Sequence, residues 1–153
     1  MKGGRRLARE LALQVLYEVD VTTHPVGVVL QHGFERDVEA VPLVHQYCQE
    51  LVVGVLRCSG VLDHYIQQHA SQWPLAQVAV VDRNLLRMAL YEFAVGGVPY
   101  KVAINESVEL AKTFGGDSAP RFINGVLGAL LPQSDEIRQI ILESGQMELN
   151  EKN

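Results

Sequence analysis

A basic cluster at the N-terminus offers the most obvious chemistry in this chain. It contains Lys2, Arg5, Arg6 and Arg9, with no acidic residue among the first nine positions, although the whole chain carries a net charge of -5. Arg5 and Arg9 are one helical turn apart, so their planar guanidinium groups, which suit phosphate oxygens, can project together. Cations at the start of a helix oppose its macrodipole by about 0.3 to 1 kcal/mol each, so helix stability does not explain the cluster. These residues alone leave two interpretations open, a solvated first turn or contact with an anionic partner.

A second polar group lies far along the chain, in a segment that contains two glycines. It comprises Phe114, Gly115, Gly116, Asp117 and Ser118, followed by Arg121 and Asn124. The glycines allow the backbone to approach a ligand, Phe114 can stack on a base, and Asn124 can read a base edge. Such a loop suits single-stranded RNA. The alternative is a structural one, in which a helix C-cap is followed by an N-cap and Phe114 is buried beneath them.

The sequence lacks the motifs of common catalytic and cofactor sites. It has neither a G-x-G-x-x-G nor a G-x-x-x-x-G-K-[ST] phosphate-binding loop. No two of its five histidines have the spacing of four that places two imidazoles on one helical face for zinc. Glu106 and Glu109 lie among lysines, which is more typical of a solvated helix face than of a general acid and base. We therefore expect no catalytic residue, no metal and no cofactor.

Apolar residues recur every three or four positions along most of the chain, which predicts amphipathic helices and an all-α fold. The expected helices cover about 5–20, 26–38 with an interruption near Gly33, 42–66, a fourth that begins within 75–82 and runs to 93, 98–114 and 118–131, with 133–153 forming a seventh short helix or a frayed tail. Trp73 is predicted to cover the core after the third helix, and Asp117 or Ser118 to cap the sixth. The apolar runs are far shorter than the roughly 20 residues that cross a bilayer, so we expect no membrane segment and a cytoplasmic location.

Several segments of the chain resemble segments of a known family, and they occur in the same order along the sequence. They are residues 5–17 (RRLARELALQVLY), 82–92 (DRNLLRMALYE), 98–106 (VPYKVAINE), 111–115 (AKTFG) and 121–127 (RFINGVL). Together they are similar to the NusB transcription antitermination family of bacteria, and the resemblance extends from residue 5 to about 131. Leu7 stands where many members have a further arginine.

The resemblance implies an all-α fold of two three-helix bundles packed together, with a short extra C-terminal helix or tail. The expected organisation is one NusB-like RNA-binding domain over 1–132, with subdomains at about 5–72 and 73–132 split near Trp73, and an acidic segment over 133–153. The implied activity is binding of boxA-type RNA together with the small ribosomal-subunit protein NusE, within the antitermination complex on RNA polymerase.

The resemblance also implies particular site residues. Arg5, Arg6, Arg9, Phe114, Asp117, Arg121, Phe122 and Asn124 match the family's RNA-binding positions, and Lys2 is added to the expected RNA-binding residues from the basic cluster. Asp82, on the exposed side of the fourth helix, is expected to bind NusE. Tyr17, Tyr91 and Leu127 lie on or near apolar stripes and are interpreted as core residues.

Two other functions stay open from the sequence. A NusB-like domain also occurs as the accessory domain of a ribosomal-RNA cytosine methyltransferase. Alternatively, the chain is a protein-interaction adaptor that forms a homodimer through its first helix and does not bind RNA. In a dimer of that kind, Arg5, Arg6 and Arg9 would be covered by the second copy.

Overall fold

A computed structural model of the protein describes residues 3–36, 41–70 and 74–145. Every regular element in these ranges is helical, which confirms the predicted all-α class. The α-helices are α1 (Gly4–Val21), α2 (Val26–Arg36), α3 (Pro42–His69), α4 (Val80–Ala94), α5 (Tyr100–Phe114), α6 (Ala119–Leu130) and α7 (Ser134–Glu143), with 3₁₀ turns at Leu75–Gln77 and Leu131–Gln133. The predictions for Lys2 and Trp73 lie outside the described residues.

Helix α2 differs from its prediction, because it continues without a break through Gly33. Gly33 is buried, and a Cβ at this position would lie 3.6 Å from Cγ2 of Val15 in α1. Glycine in a helix interior costs only about 1 kcal/mol, which the burial of Val29 and Leu30 outweighs. The predicted interruption is therefore wrong, and Gly33 marks a place where α2 packs closely on α1.

Proline residues begin two of the helices at the expected places. Pro42 opens α3, the longest helix, and Pro120 lies in the first turn of α6, where the missing N–H has no helical partner to lose. The sequence predicts either Asp117 or Ser118 as the N-cap of α6, and Ser118 occupies this position. Its side chain makes no capping hydrogen bond there. The fixed backbone angle of Pro120 therefore does more to define this helix start than Ser118 does.

The chain separates into two compact units, 1–53 and 54–153. In the first unit, α1 packs against α2, and Phe34 of α2 stacks on His45 of α3 with ring centroids 4.3 Å apart. The predicted apolar stripe of α1 consists of Ala8, Leu11, Ala12, Val15, Leu16 and Val19. All of these residues are buried except Val19, which is partly exposed. The arginine-bearing helix α1 is therefore anchored in this unit through one apolar face.

The second unit contains the remainder of α3 and all of α4 to α7. Helices α4, α5 and α6 pack pairwise, and α7 packs against α4. Arg87 of α4 donates to both carboxylate oxygens of Asp63 in α3, at 2.7 and 2.9 Å. A Cβ at Gly54 would overlap the ring of Tyr91, so α3 and α4 approach closely at this point. The subdomain boundary that the sequence places near Trp73 stays a prediction.

No helix in the described part of the chain is long and apolar enough to cross a membrane.

Candidate nucleic-acid interface

The arginine cluster occupies the first two turns of α1. Gly3 precedes the helix with a φ of 80°, and the first turn of α1 contains no acidic residue. Arg5 and Arg6 are exposed, as expected for side chains that contact a polyanion. The basic start of the chain thus presents two guanidinium groups to solvent.

The apolar residues of α1 recur on a stripe that does not include Arg5, Arg6 or Arg9, so the sequence predicts that all three are exposed, and Arg9 departs from this prediction. It is only 4% exposed, whereas Arg5 is exposed. Its guanidinium carbon lies 5.8 Å from the ring centroid of Tyr47 in α3, and that of Arg5 lies 4.7 Å from the same centroid. Because Arg5 and Arg9 are four residues apart, they share one face of α1, and this face is directed towards α3. The ring of Tyr47 gives Arg9 a surface on which a cation can be buried.

Tyr17 also differs from its prediction, since it is 44% exposed rather than part of the core. Val21, one turn further along α1, is 50% exposed on the same face. Tyr17 directly follows Leu16 in the chain, and consecutive residues of a helix are rotated by about 100°. Tyr17 therefore lies at the edge of the apolar face that contains Leu16. Leu127 is buried, as predicted, and Tyr91 is partly buried. The amphipathic character of tyrosine was the one signal that could have separated Tyr17 from the leucines.

The loop between α5 and α6 places an aromatic ring at the surface of the second unit. Phe114 is the last residue of α5 and is 40% exposed, so it is not buried beneath the cap. Gly115 follows at a point of close packing, where a Cβ would lie 2.7 Å from Cβ of Ala119 and 2.9 Å from the carbonyl oxygen of Ala111. The φ of Gly115 is -95°, which any residue can adopt. Glycine is therefore favoured here because a larger side chain would not fit.

The polar residues predicted for RNA recognition lie on the loop and on the first turns of α6. Asp117, Arg121 and Asn124 are exposed, and Phe122 is partly buried. Arg121 and Asn124 are three residues apart and share one face of α6, whereas Ile123, Val126 and Leu127 point into the core. Helix α6 therefore has a buried apolar face and an exposed face that carries the guanidinium of Arg121 and the amide of Asn124.

Asp82 lies in the first turn of α4 and is partly buried, so its predicted position on the exposed side of the helix is only partly correct. Its Oδ1 atom is buried and has no hydrogen-bond partner among the described residues. The same atom would lie 3.3 Å from a Cβ at Gly115, so the carboxylate adjoins the α5–α6 loop. Burial raises the pKa of Asp82 above its ordinary value. A residue predicted to bind a protein partner thus touches the loop predicted to bind RNA.

The predicted interface is divided between the two units. Arg5, Arg6 and Arg9 belong to the first unit, and Asp82 and the α5–α6 loop belong to the second. Within the second unit the structure does bring Asp82 and Gly115 together, although they are far apart in sequence. The local sequence around Asp82 or Gly115 does not predict this contact.

Comparison with known proteins identifies relatives over most of the chain. Transcription antitermination protein NusB from Dehalococcoides mccartyi (strain CBDB1) is 44% identical over 131 residues, covering 85% of this chain and 91% of the relative. The protein of the same name from Bacillus subtilis (strain 168) is 41% identical over 124 residues, covering 80% and 91%.

Solved structures agree with this assignment. The fold is similar to a chain in a crystal structure of the antitermination factors NusB and NusE in complex with dsRNA, with a TM-score of 0.77 and 25% identity, covering 92% of this chain and 99% of that one. It is also similar to NusB of T. maritima, with a TM-score of 0.74 and 26% identity, covering 88% and 90%. The model of the NusB family matches residues 6–132, and the chain therefore belongs to the NusB family.

Proposed function

We propose that this chain is a transcription antitermination factor that binds boxA-type single-stranded RNA together with the ribosomal protein NusE. In this role it helps to assemble the antitermination complex on RNA polymerase in the cytoplasm, by binding and not by catalysis, and without a cofactor. The observation that carries the proposal is that one family match, over 6–132, contains both the exposed Arg6 of α1 and the exposed polar face of α6, and exposed Arg5 directly precedes this match. Its relatives are named antitermination proteins, and a similar structure contains NusE and dsRNA.

The two groups of residues suit different tasks. Arg5 and Arg6, together with Lys2, supply charge for backbone phosphates, which position a nucleic acid without specifying its sequence. Phe114 offers a ring for base stacking, and Asn124 offers an amide that can hydrogen-bond to a base edge. Asp117, Arg121 and Phe122 flank these two residues on the loop and on α6. Arg9 is only 4% exposed, so in this proposal it supports the cluster and the phosphate contacts are assigned to its exposed neighbours.

The phosphate contacts are tested by the salt dependence of RNA binding. For single-stranded RNA, each contact contributes about 0.7 to the slope of log affinity against log salt concentration. We expect the double variant Arg5→Ala/Arg6→Ala to lose roughly 1.4 from this slope, and to weaken binding to boxA-like and scrambled RNA by similar factors. Fluorescence anisotropy over a salt series measures both quantities. Arg138→Ala, which removes an exposed arginine from α7, is the matched control. An unchanged slope and affinity in the double variant would contradict the proposal.

Sequence preference is tested at Asn124. We expect Asn124→Ala to narrow the ratio of affinities for boxA-like and scrambled RNA by roughly two- to tenfold, which corresponds to one hydrogen bond of about 1 kcal/mol. The slope against salt should stay the same, since no phosphate contact is removed. Gln139→Ala removes an exposed amide from α7 and serves as the control. A uniform loss of affinity for both RNAs would assign Asn124 to the backbone instead. Repeating the measurement with duplex RNA separates single-stranded from double-stranded recognition.

A second candidate function is that of a dimeric adaptor without RNA binding. It is favoured by the exposed pair Tyr17 and Val21, which share a face of α1 and together present apolar surface. Sedimentation velocity with and without boxA-like RNA distinguishes the two functions. RNA that binds, or that dissociates a dimer, supports the first function, and a dimer that ignores RNA supports the second.

A further inference from the structure

The ring of Tyr47 lies beneath two guanidinium groups of the basic cluster. The distances from its centroid to the guanidinium carbons of Arg5 and Arg9 are 4.7 and 5.8 Å, and both are within the roughly 6 Å over which a ring attracts a cation. All three residues belong to the first unit. Tyr47 comes from α3, so its position depends on the packing of this unit and not on the local structure of α1.

This arrangement is unfavourable for the isolated fold. Arg5 and Arg9 carry like charges one helical turn apart, and Arg5, in the first turn, opposes the macrodipole at the start of α1. Arg9 is also nearly excluded from solvent, which adds a desolvation cost. Attraction to the face of Tyr47 offsets part of these costs and restricts where the two guanidinium groups can lie. An anion that reaches the exposed Arg5 would meet a cation whose position is already restricted.

We propose that Tyr47 is a positioning residue for RNA binding, which holds the guanidinium of Arg5 in place before RNA arrives. Arg9 packs on the same ring and supports the arrangement from the buried side. Ordering a long side chain when a complex forms normally reduces the affinity, so ordering Arg5 beforehand strengthens binding. This inference rests on the proposed function, because the ligand of Arg5 is taken to be an RNA phosphate.

The first test concerns the free protein and needs no RNA. In NMR spectra, ring-current shifts should move the δ protons of Arg5 upfield in the wild-type chain and in Tyr47→Phe, which keeps the aromatic face. In Tyr47→Leu these protons should return to the shifts of an unrestrained arginine. Circular dichroism checks that each variant is folded. Identical Arg5 shifts in the wild-type chain and in folded Tyr47→Leu would overturn the proposal.

The second test is a double-mutant cycle in RNA binding. We expect Tyr47→Leu to weaken boxA-like RNA binding by roughly three- to tenfold, and Tyr47→Phe to stay within about twofold of the wild-type chain. In an Arg5→Ala background, Tyr47→Leu should cost less than about twofold, because the side chain that the ring orders is gone. An equal loss in both backgrounds would show that the ring contacts RNA itself or only supports the fold, and would overturn the proposal.

A further variant keeps the proposal testable if Tyr47→Leu does not fold. Arg5→Lys changes only an exposed residue and retains its charge, but it lacks the planar group that stacks on a ring. It should lose affinity by roughly the same factor as Tyr47→Leu, whereas Arg6→Lys should stay within about twofold of the wild-type chain. Equal effects of the two lysine substitutions would overturn the role of Tyr47. A wild-type chain that binds no RNA would overturn the proposed function itself, which is a separate result from binding without coupling.

Discussion

Among the individual residues of the candidate interface, Asp82 has a carboxylate in an energetically unfavourable environment. Its Oδ1 is buried without a hydrogen-bond partner among the described residues, and it adjoins the loop at Gly115. An acid in the first turn of a helix is normally stabilised by the macrodipole. Burial nevertheless raises the pKa of Asp82, so the ionised form is disfavoured in the folded state. A residue that costs stability at neutral pH is a good candidate for one retained for binding.

We expect Asp82→Asn to increase the free energy of unfolding at pH 7, because it removes a charge that the burial of Oδ1 disfavours. The folded pKa is raised above the unfolded value of 3.8, so the contribution of Asp82 is present below pH 3.8 and is lost as the pH rises through the folded pKa. The gain from Asp82→Asn should therefore shrink as the pH is lowered towards 4. Urea denaturation at several pH values measures it.

The same variant tests the assignment of Asp82 to NusE binding. Asp82→Asn should weaken binding of NusE, while the affinity of the isolated chain for RNA stays within about twofold. Glu143→Gln, an exposed acid of α7, is the control. Equal losses for NusE and RNA would remove the assignment, because a single effect on the adjoining loop would then explain both.

At the scale of elements, α7 is joined to the second unit by both apolar and polar contacts. Ile137 and Ile141 are fully buried, and α7 packs against α4. The side chain of Tyr65 in α3 is largely buried, and its hydroxyl donates a partly buried hydrogen bond to the carboxylate of Glu136. One of the two sequence alternatives for 133–153 was a short helix, and its apolar residues give this helix a place in the core.

We expect Tyr65→Phe to lower the free energy of unfolding by roughly 1 kcal/mol at neutral pH, because it removes a partly buried hydrogen bond to a charged but exposed group. The bond to Glu136, together with burial, raises the pKa of Tyr65 from 10.0 to about 12. Its contribution is therefore fully present below pH 10 and is lost as the pH rises through about 12. The difference in stability between the wild-type chain and Tyr65→Phe should be constant below pH 10 and decrease between pH 10 and 12. A difference that does not change with pH in that window would contradict the assignment.

At the scale of the whole molecule, one helix contributes to the cores of both compact units. Helix α3 runs unbroken across the boundary between Val53 and Gly54. It supplies buried residues to the first unit, including Val44, Cys48, Leu51 and Val52, and to the second, including Leu62 and Ile66. Breaking a helix in its middle exposes backbone groups and apolar residues, so the two units are expected to unfold together.

A core substitution in the second unit tests this expectation. Leu86→Ala in α4, where the side chain is fully buried, should cost roughly 2 to 4 kcal/mol. Hydrogen exchange measured by mass spectrometry should then show a similar loss of protection in the most stable amides of α1 and of α6. A loss confined to the second unit would show that the units unfold independently. The exposed substitution Thr113→Ala is the control.

By itself, the sequence determined the properties that depend on residues close together in the chain. The all-α class, the order of the helices and the buried stripe of α1 all follow from apolar spacing, and the long α3 follows from Pro42 and the pattern behind it. Exposed Arg5, Arg6 and Asn124 were also predictable, since they lie clearly outside the apolar stripes.

Whether a residue at the edge of an apolar stripe is buried depends on tertiary packing. Arg9 is buried because a distant helix places Tyr47 beside it, whereas Tyr17 is exposed because no described part of the first unit covers it fully. Asp82 likewise meets Gly115 only through the packing of α4 against the α5–α6 loop. The physical reason is that periodicity shows which face of a helix is apolar but not which side chain from elsewhere will cover its border. Amphipathic and charged residues at that border are buried only where a remote element offers a suitable surface.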